Sequence, residues 1–216
     1  MLRTTSLIKG KSAMLDYHVT KLFDIPLKVK RLTPTHTAAW IPPSPGVVKI
    51  NCDGSAIGSQ PSGAVGFVLR DSECNFQGAL CSNIGYATSL EAEFSACMLA
   101  IEKAQHLGLT NICLEVDSIQ VVNAFNKGFG VPWRMRARWH NCLQFCSGIR
   151  CACVHTLREG NMVADALAKN GQGLSCFSTQ WWPSPPSFII SLLHRDSLGL
   201  PFTRLASLDF SPPCLA

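Results

Sequence analysis

The sequence predicts an α/β fold: a five-stranded mixed sheet, three antiparallel strands and then parallel crossovers, flanked by helices. Three features point to it. Between 47 and 84, three adjacent apolar runs are separated by short clusters of turn residues, the pattern of a strand meander. At Thr88 the apolar spacing lengthens to that of a helix. Two more apolar runs, 111–116 and 149–155, then alternate with helical stretches, as crossovers onto one sheet require.

Residues 1–39 show no sustained period and are expected to form a poorly structured extension. Trp40-Ile41-Pro42-Pro43-Ser44-Pro45-Gly46 is a stiff, extended lead-in, because proline fixes φ and restricts its predecessor. In the first strand Val48, Ile50 and Cys52 alternate with Lys49 and Asn51, the period of a half-buried strand. It is expected to end at Asp53, where Gly54 releases the backbone. Turn residues 58–63 lead to a second strand, Ala64–Arg70, and Asp71-Ser72-Glu73 to a third, Asn75–Ile84. Leu90, Phe94, Cys97, Met98 and Ile101 mark a helix, with Thr88 and Glu91 placed as a capping box and Leu107-Gly108 as its end. Asn111–Val116 is a strand ending at Asp117, Ser118–Phe125 a short helix, Arg134–Cys146 another helix and Ile149–His155 the fifth strand. A loop, 156–160, precedes a last helix from Asn161 to about Asn170. The organisation expected is an extension (1–39), one domain (40–172) and a proline-containing tail (173–216) with Trp181 and Trp182.

With 47% apolar and 15% charged residues, the 216-residue chain is globular rather than disordered. A net charge of +5 suits a polyanionic partner without identifying one. The 11 cysteines form no paired zinc-type array and read as reduced thiols, mostly in the core. No apolar run approaches the roughly 20 residues that span a bilayer, so no membrane partner is expected. Residues 1–15 carry Arg3, Lys9 and Lys11 and no acid, a composition shared with transit peptides. An intracellular protein of nucleus or cytoplasm is nevertheless the expectation, and a monomer.

Four acids occupy informative places. Asp53 and Asp117 each follow a strand, Glu93 lies in the first turns of the long helix, and Asp165 sits inside the last helix. Within that helix Asp165 points almost opposite Val163 and Leu167, at 100° per residue. Brought to one end of the sheet, such carboxylates suit Mg²⁺, a hard cation that takes oxygen ligands and substrate phosphate. Two ions roughly 4 Å apart could activate water and stabilise a leaving 3′ oxygen in phosphodiester cleavage. His155, ten residues before Asp165, could shuttle protons near neutral pH. Its spacing alone favours an exposed loop histidine.

Taken in order, four motifs resemble ribonuclease H type 1, in its plant retrotransposon-derived branch. They are Lys49-Ile50-Asn51-Cys52-Asp53-Gly54-Ser55 with Gly63 to Asp71, Ala92-Glu93-Phe94-Ser95-Ala96, Leu114-Glu115-Val116-Asp117-Ser118, and His155 to Ala168. The resemblance runs from about Trp40 to Gln172. It implies the RNase H-like fold, and Asp53, Glu93, Asp117 and Asp165 as a four-carboxylate site for two Mg²⁺ ions, with Mn²⁺ a possible substitute. It assigns His155 to the family's loop histidine. It also implies an RNA–DNA hybrid substrate whose RNA strand is cut to 5′-phosphate and 3′-hydroxyl ends.

The nucleic-acid-binding candidates are Ser55, Ser89, Trp133, Arg134, Arg138 and Trp139. Trp133 to Trp139, with Arg136, would form a basic, aromatic surface for the DNA strand, or else an ordinary amphipathic helix. The chain departs from the family at Thr88-Ser89-Leu90, where relatives carry side-chain amides that read the minor groove, so weaker hybrid affinity is expected. The reading is a solitary Mg²⁺-dependent endoribonuclease. Its rivals are a nucleic-acid-binding module with little turnover and an interaction protein acting through the tail.

Overall fold

The structure, a computed structural model, describes Leu22, residues 36–59 and residues 61–204. Most of the expected N-terminal extension lies outside these residues. The strands are β1 (His36–Ala38), β2 (Val48–Ile57), β3 (Ser62–Arg70), β4 (Phe76–Tyr86), β5 (Asn111–Val116), β6 (Arg150–His155), β7 (Thr179–Trp182) and β8 (Phe202–Arg204). The α-helices are α1 (Ser89–His106), α2 (Ile119–Lys127), α3 (Arg136–Ser147), α4 (Met162–Gly171) and α5 (Ser187–Ser197).

Among the described residues the main sheet has six strands in the order β6-β5-β2-β3-β4-β7. β2, β3 and β4 form the expected antiparallel meander, while β5 joins β2 and β6 joins β5 in parallel. The sixth strand corrects the five-strand expectation. Residues 179–182, read as part of a tail, pair antiparallel with β4 through Leu80↔Trp181 and its neighbours. The tail also supplies α5, whose Ile189 is fully buried against Val68 and Leu167. β1 and β8 pair as a separate ribbon that lies against the turn at residues 158–160. None of the helices described is long and apolar enough to cross a membrane.

Helix α1 starts where its sequence dictates. The Thr88 hydroxyl accepts from the Glu91 amide at 3.3 Å, and the Glu91 carboxylate accepts from the Thr88 amide at 2.9 Å, satisfying donors the first turn leaves free. One face of α1, with Phe94, Cys97, Met98 and Ile101, packs on Ile50, Cys52, Phe67 and Leu69 of the sheet. On the opposite face α4 buries Val163 and Leu167 against Val68, Ala79 and Cys81. Of the ten cysteines described, six are buried and all are free thiols.

β2 departs from the expectation in two ways. It does not stop at Asp53 but continues to Ile57, with Asp53 opposite Gly66 in the ladder. Gly54 serves close packing: a Cβ there would lie 2.3 Å from the Ala92 carbonyl carbon and the Glu93 nitrogen, so only glycine lets α1 rest on the strand. Nor is the polar side of β2 a solvent face, because Lys49, Asn51 and Asp53 are all buried. Period-two alternation reports two different faces, and here the second is covered by protein.

Candidate active site

β2, α1 and β5 deliver three carboxylates to one place. Asp53 comes from within β2, Glu93 from the start of α1, where Gly54 admits the helix, and Asp117 from the residue after β5. A carboxylate oxygen of each lies within 4.8 Å of the others. Asp53 is almost fully buried, and one Asp117 oxygen, Oδ1, is buried without a hydrogen-bond partner.

This arrangement is costly when the acids are ionised and nothing positive lies between them. Burial first, then the charges of Asp117 and Asp165, push the Asp53 carboxyl up to about 8, against the pull of Arg158. Burial, then Asp53 and Asp117, push Glu93 up to about 9, opposed by the Gly54 amide and Arg158. Burial also raises Asp117, again with Arg158 opposing. Three crowded carboxylates and an unsatisfied buried oxygen are the donor set a hard divalent cation requires. The residues fit such an ion.

Asp165 is close enough to raise Asp53 but is not in the cluster of three. Its side chain is buried and held by Arg158 at 2.7 Å and Lys169 at 2.5 Å. His155, exposed at the end of β6, places Nε2 3.2 Å from the carbonyl oxygen of Asp117. The ring therefore sits at the rim of the carboxylates. Arg158 was not among the residues singled out, although its cation opposes the raised pKa of all three clustered acids. The sequence signal for it is its place between His155 and Asp165.

The nucleic-acid-binding candidates divide. Trp133 is 74% exposed, with the Arg134 guanidinium 5.3 Å from its ring centroid, and Arg136 is exposed as well. Arg138 is exposed but engaged by both Glu102 oxygens at 2.6 Å. Trp139 must be taken out of the surface: it is 3% exposed and packs edge-on against Phe94 and Phe125 at 5.1 and 6.4 Å. Ser89 is exposed at the head of α1, whereas the neighbouring Leu90 packs on the core. Ser55 is half-buried in β2, its carbonyl accepting from Gln172 at 3.0 Å. A groove of about 430 Å³ beside α1 is lined by Tyr86, Glu91, Ser95, Arg134, Arg138 and Phe177.

A family profile described as reverse transcriptase-like matches residues 51–171. The chain belongs to the reverse transcriptase-like family. The matched span of this reverse transcriptase-like protein contains Asp53, Glu93, Asp117, His155 and Asp165. RNase H1 from the archaeon Halobacterium salinarum is 27% identical and superposes with a TM-score of 0.54, covering 58% of this chain and 97% of that one. LC11-RNase H1, solved in complex with an RNA/DNA hybrid, is 24% identical with a TM-score of 0.52, covering 57% and 94%. The reverse transcriptase-like domain thus has the RNase H-like fold. An Arabidopsis thaliana protein named as a candidate ribonuclease H is 32% identical over 163 residues, 74% of this chain. The chain spans about a quarter of that relative's length, 26%.

Proposed function

We propose that this reverse transcriptase-like domain is a ribonuclease H, an Mg²⁺-dependent endonuclease that hydrolyses the RNA strand of RNA–DNA hybrids. The observation that carries the reading is the convergence of Asp53, Glu93 and Asp117, with carboxylate oxygens within 4.8 Å of one another and a buried Asp117 oxygen left free. Those three, with Asp165 beside them, would hold two divalent cations, Mg²⁺ or in its place Mn²⁺. When bound, such ions neutralise the phosphodiester and activate water for attack. Family resemblance and the hybrid-bound LC11-RNase H1 support the choice of substrate.

The chain's own groups account for the remainder. Asp53 and Glu93 are fixed by strand and helix backbone that meet at Gly54, which keeps the donors in place before any ligand arrives. His155 stands at the rim with its ring oriented by the Asp117 carbonyl, where it can move a proton as product leaves. Trp133, Arg134 and Arg136 offer an aromatic face and open cations to the DNA strand, through phosphate contacts that weaken with salt. Arg138, already paired with Glu102, has less to contribute.

The test is cleavage of end-labelled hybrid, single-stranded RNA, duplex RNA and duplex DNA, each with Mg²⁺ and with EDTA. Cleavage of the RNA in the hybrid alone, dependent on Mg²⁺ and lost in Asp53→Asn, is expected. Hybrid binding without cleavage by pure wild-type protein would instead make the domain a binding module.

A further inference from the structure

We infer that Asn51 is a positioning residue for the carboxylate cluster, and that Asp196, contributed by α5, anchors its support. Asn51 is fully buried and lies on β2 two residues before Asp53. Its carbonyl oxygen accepts from the Trp40 indole and from Arg70, each at 2.8 Å. Its amide nitrogen donates to a Glu115 oxygen at 2.8 Å and to the Asn161 side-chain oxygen at 3.2 Å. The first two partners can only donate and the carboxylate can only accept, so chemistry fixes the orientation of the amide.

Those partners lead to the site along separate elements. Glu115 is on β5, two residues before Asp117, and is steadied by Lys49 at 2.9 Å. Asn161 immediately precedes α4, which carries Asp165, and donates to the carbonyl of Cys52 at 2.8 Å. That carbonyl belongs to the peptide entering Asp53. A single amide therefore ties together the strand bearing Asp53, the strand leading to Asp117 and the helix bearing Asp165.

Arg70 is itself braced. It is 1% exposed, lies 3.7 Å above the Trp40 ring centroid, and pairs with Asp196 at 2.6 Å. Both charges are buried, so neither can turn to water if its partner is lost. Asp196 lies beyond the family-matched span of 51–171. Part of the support for the carboxylates thus comes from a segment the family profile does not include.

The test compares Asn51→Ala, Asn51→Asp, Asp196→Ala and Asp196→Asn with the wild type and with Ile101→Ala, a core truncation eight residues along α1 from Glu93. Melting in EDTA reports stability. Electron paramagnetic resonance of free Mn²⁺ reports cation binding without nucleic acid, and hybrid cleavage supplies kcat and KM. Groups that orient metal ligands change affinity or rate by about 10- to 100-fold. Asn51→Ala is therefore expected to weaken Mn²⁺ binding and lower kcat within that range, with hybrid KM changed less than about three-fold. Asn51→Asp keeps the acceptor but loses both donated bonds, and should do the same. It carries the comparison if the alanine variant does not fold. Asp196→Ala should have a smaller effect of the same kind, and Asp196→Asn, still an acceptor for Arg70, should recover most of it.

Wild-type Mn²⁺ affinity in folded Asn51 variants, or an equal loss in Ile101→Ala at matched melting temperature, would overturn the inference and leave the ribonuclease reading standing. Because the inference rests on that reading, a wild-type protein that neither binds Mn²⁺ nor cuts the hybrid overturns both.

Discussion

Replacing Asp53 by asparagine should stabilise the cation-free protein at neutral and alkaline pH while abolishing cleavage. Burial and the facing Asp117 raise the Asp53 carboxyl from 3.8 to about 8. Without a divalent ion the folded protein therefore retains a proton that the unfolded chain releases near its ordinary pKa of about 4. A folded pKa above the unfolded one means that stability is fullest below the unfolded value. It falls as pH rises from there through the folded value. At about 1.4 kcal/mol per unit, the displacement from 3.8 to about 8 sets a ceiling near 6 kcal/mol. Glu93, raised to about 9 in the same cluster, shares this repulsion, so neutralising one acid does not recover the whole. A gain of about 2–4 kcal/mol at pH 8 is expected, or roughly 5–15 °C in melting temperature for a chain of this size. Differential scanning calorimetry from pH 5 to 9 in EDTA should show the gap between variant and wild type narrowing toward pH 5. Adding Mg²⁺ should raise the wild type more than the variant. A variant that melts below the wild type at pH 8 in EDTA would mean that Asp53 is not held among unsatisfied like charges.

His155→Ala should slow turnover by about 10- to 100-fold with unchanged Mg²⁺ dependence, since the ring stands at the rim and not among the carboxylates. Lost hybrid binding with normal single-turnover chemistry would contradict that role. Trp139→Ala should cost about 3–5 kcal/mol in denaturant unfolding, because its ring fills the space against Phe94 and Phe125. Trp133→Ala should leave stability within about 0.5 kcal/mol yet raise hybrid KM; the opposite pattern would return Trp139 to the surface. Leu90→Asn should lose about 1–3 kcal/mol by exposing a cavity in the core it packs against. Exposed Ser89→Asn should instead lower hybrid KM several-fold through one added hydrogen bond, and an unchanged KM would exclude Ser89 from groove reading.

Periodicity made most elements legible, because apolar spacing reflects which side of a helix or strand meets the core. The capping box at Thr88 and Glu91 was legible for a similar reason: it is chemistry between neighbours in sequence. Features set by distant neighbours were not. Arg136-Ala137-Arg138-Trp139 reads as a basic surface, yet the helix turns the tryptophan inward and Glu102, on another helix, takes one arginine. Asp53-Gly54 reads as the end of a strand because glycine commonly releases a backbone. Here it is instead the absence of a side chain beneath α1 that matters. Asp165 is legible as an acid near the site, but its burial, which makes the Arg158 and Lys169 pairs matter, depends on the sheet packed beneath its helix. β7 is not legible because four residues, Thr-Gln-Trp-Trp, are too few to establish a period.

The pairing of β7 with β4 bears on where this domain can be cut. A fragment ending at Gly171, the limit of the family match, would leave one side of β4 with open amides and carbonyls along Ala79 to Ser82. Such an edge recruits strands from other molecules. The same cut would remove Ile189 from its packing against Val68 and Leu167 and deprive Arg70 of its Asp196 counterion. The expected product is an insoluble or self-associating fragment, whereas one carried through Arg204 retains its own protective edge. Material produced from the shorter span would therefore report on aggregation before it reported on hydrolysis.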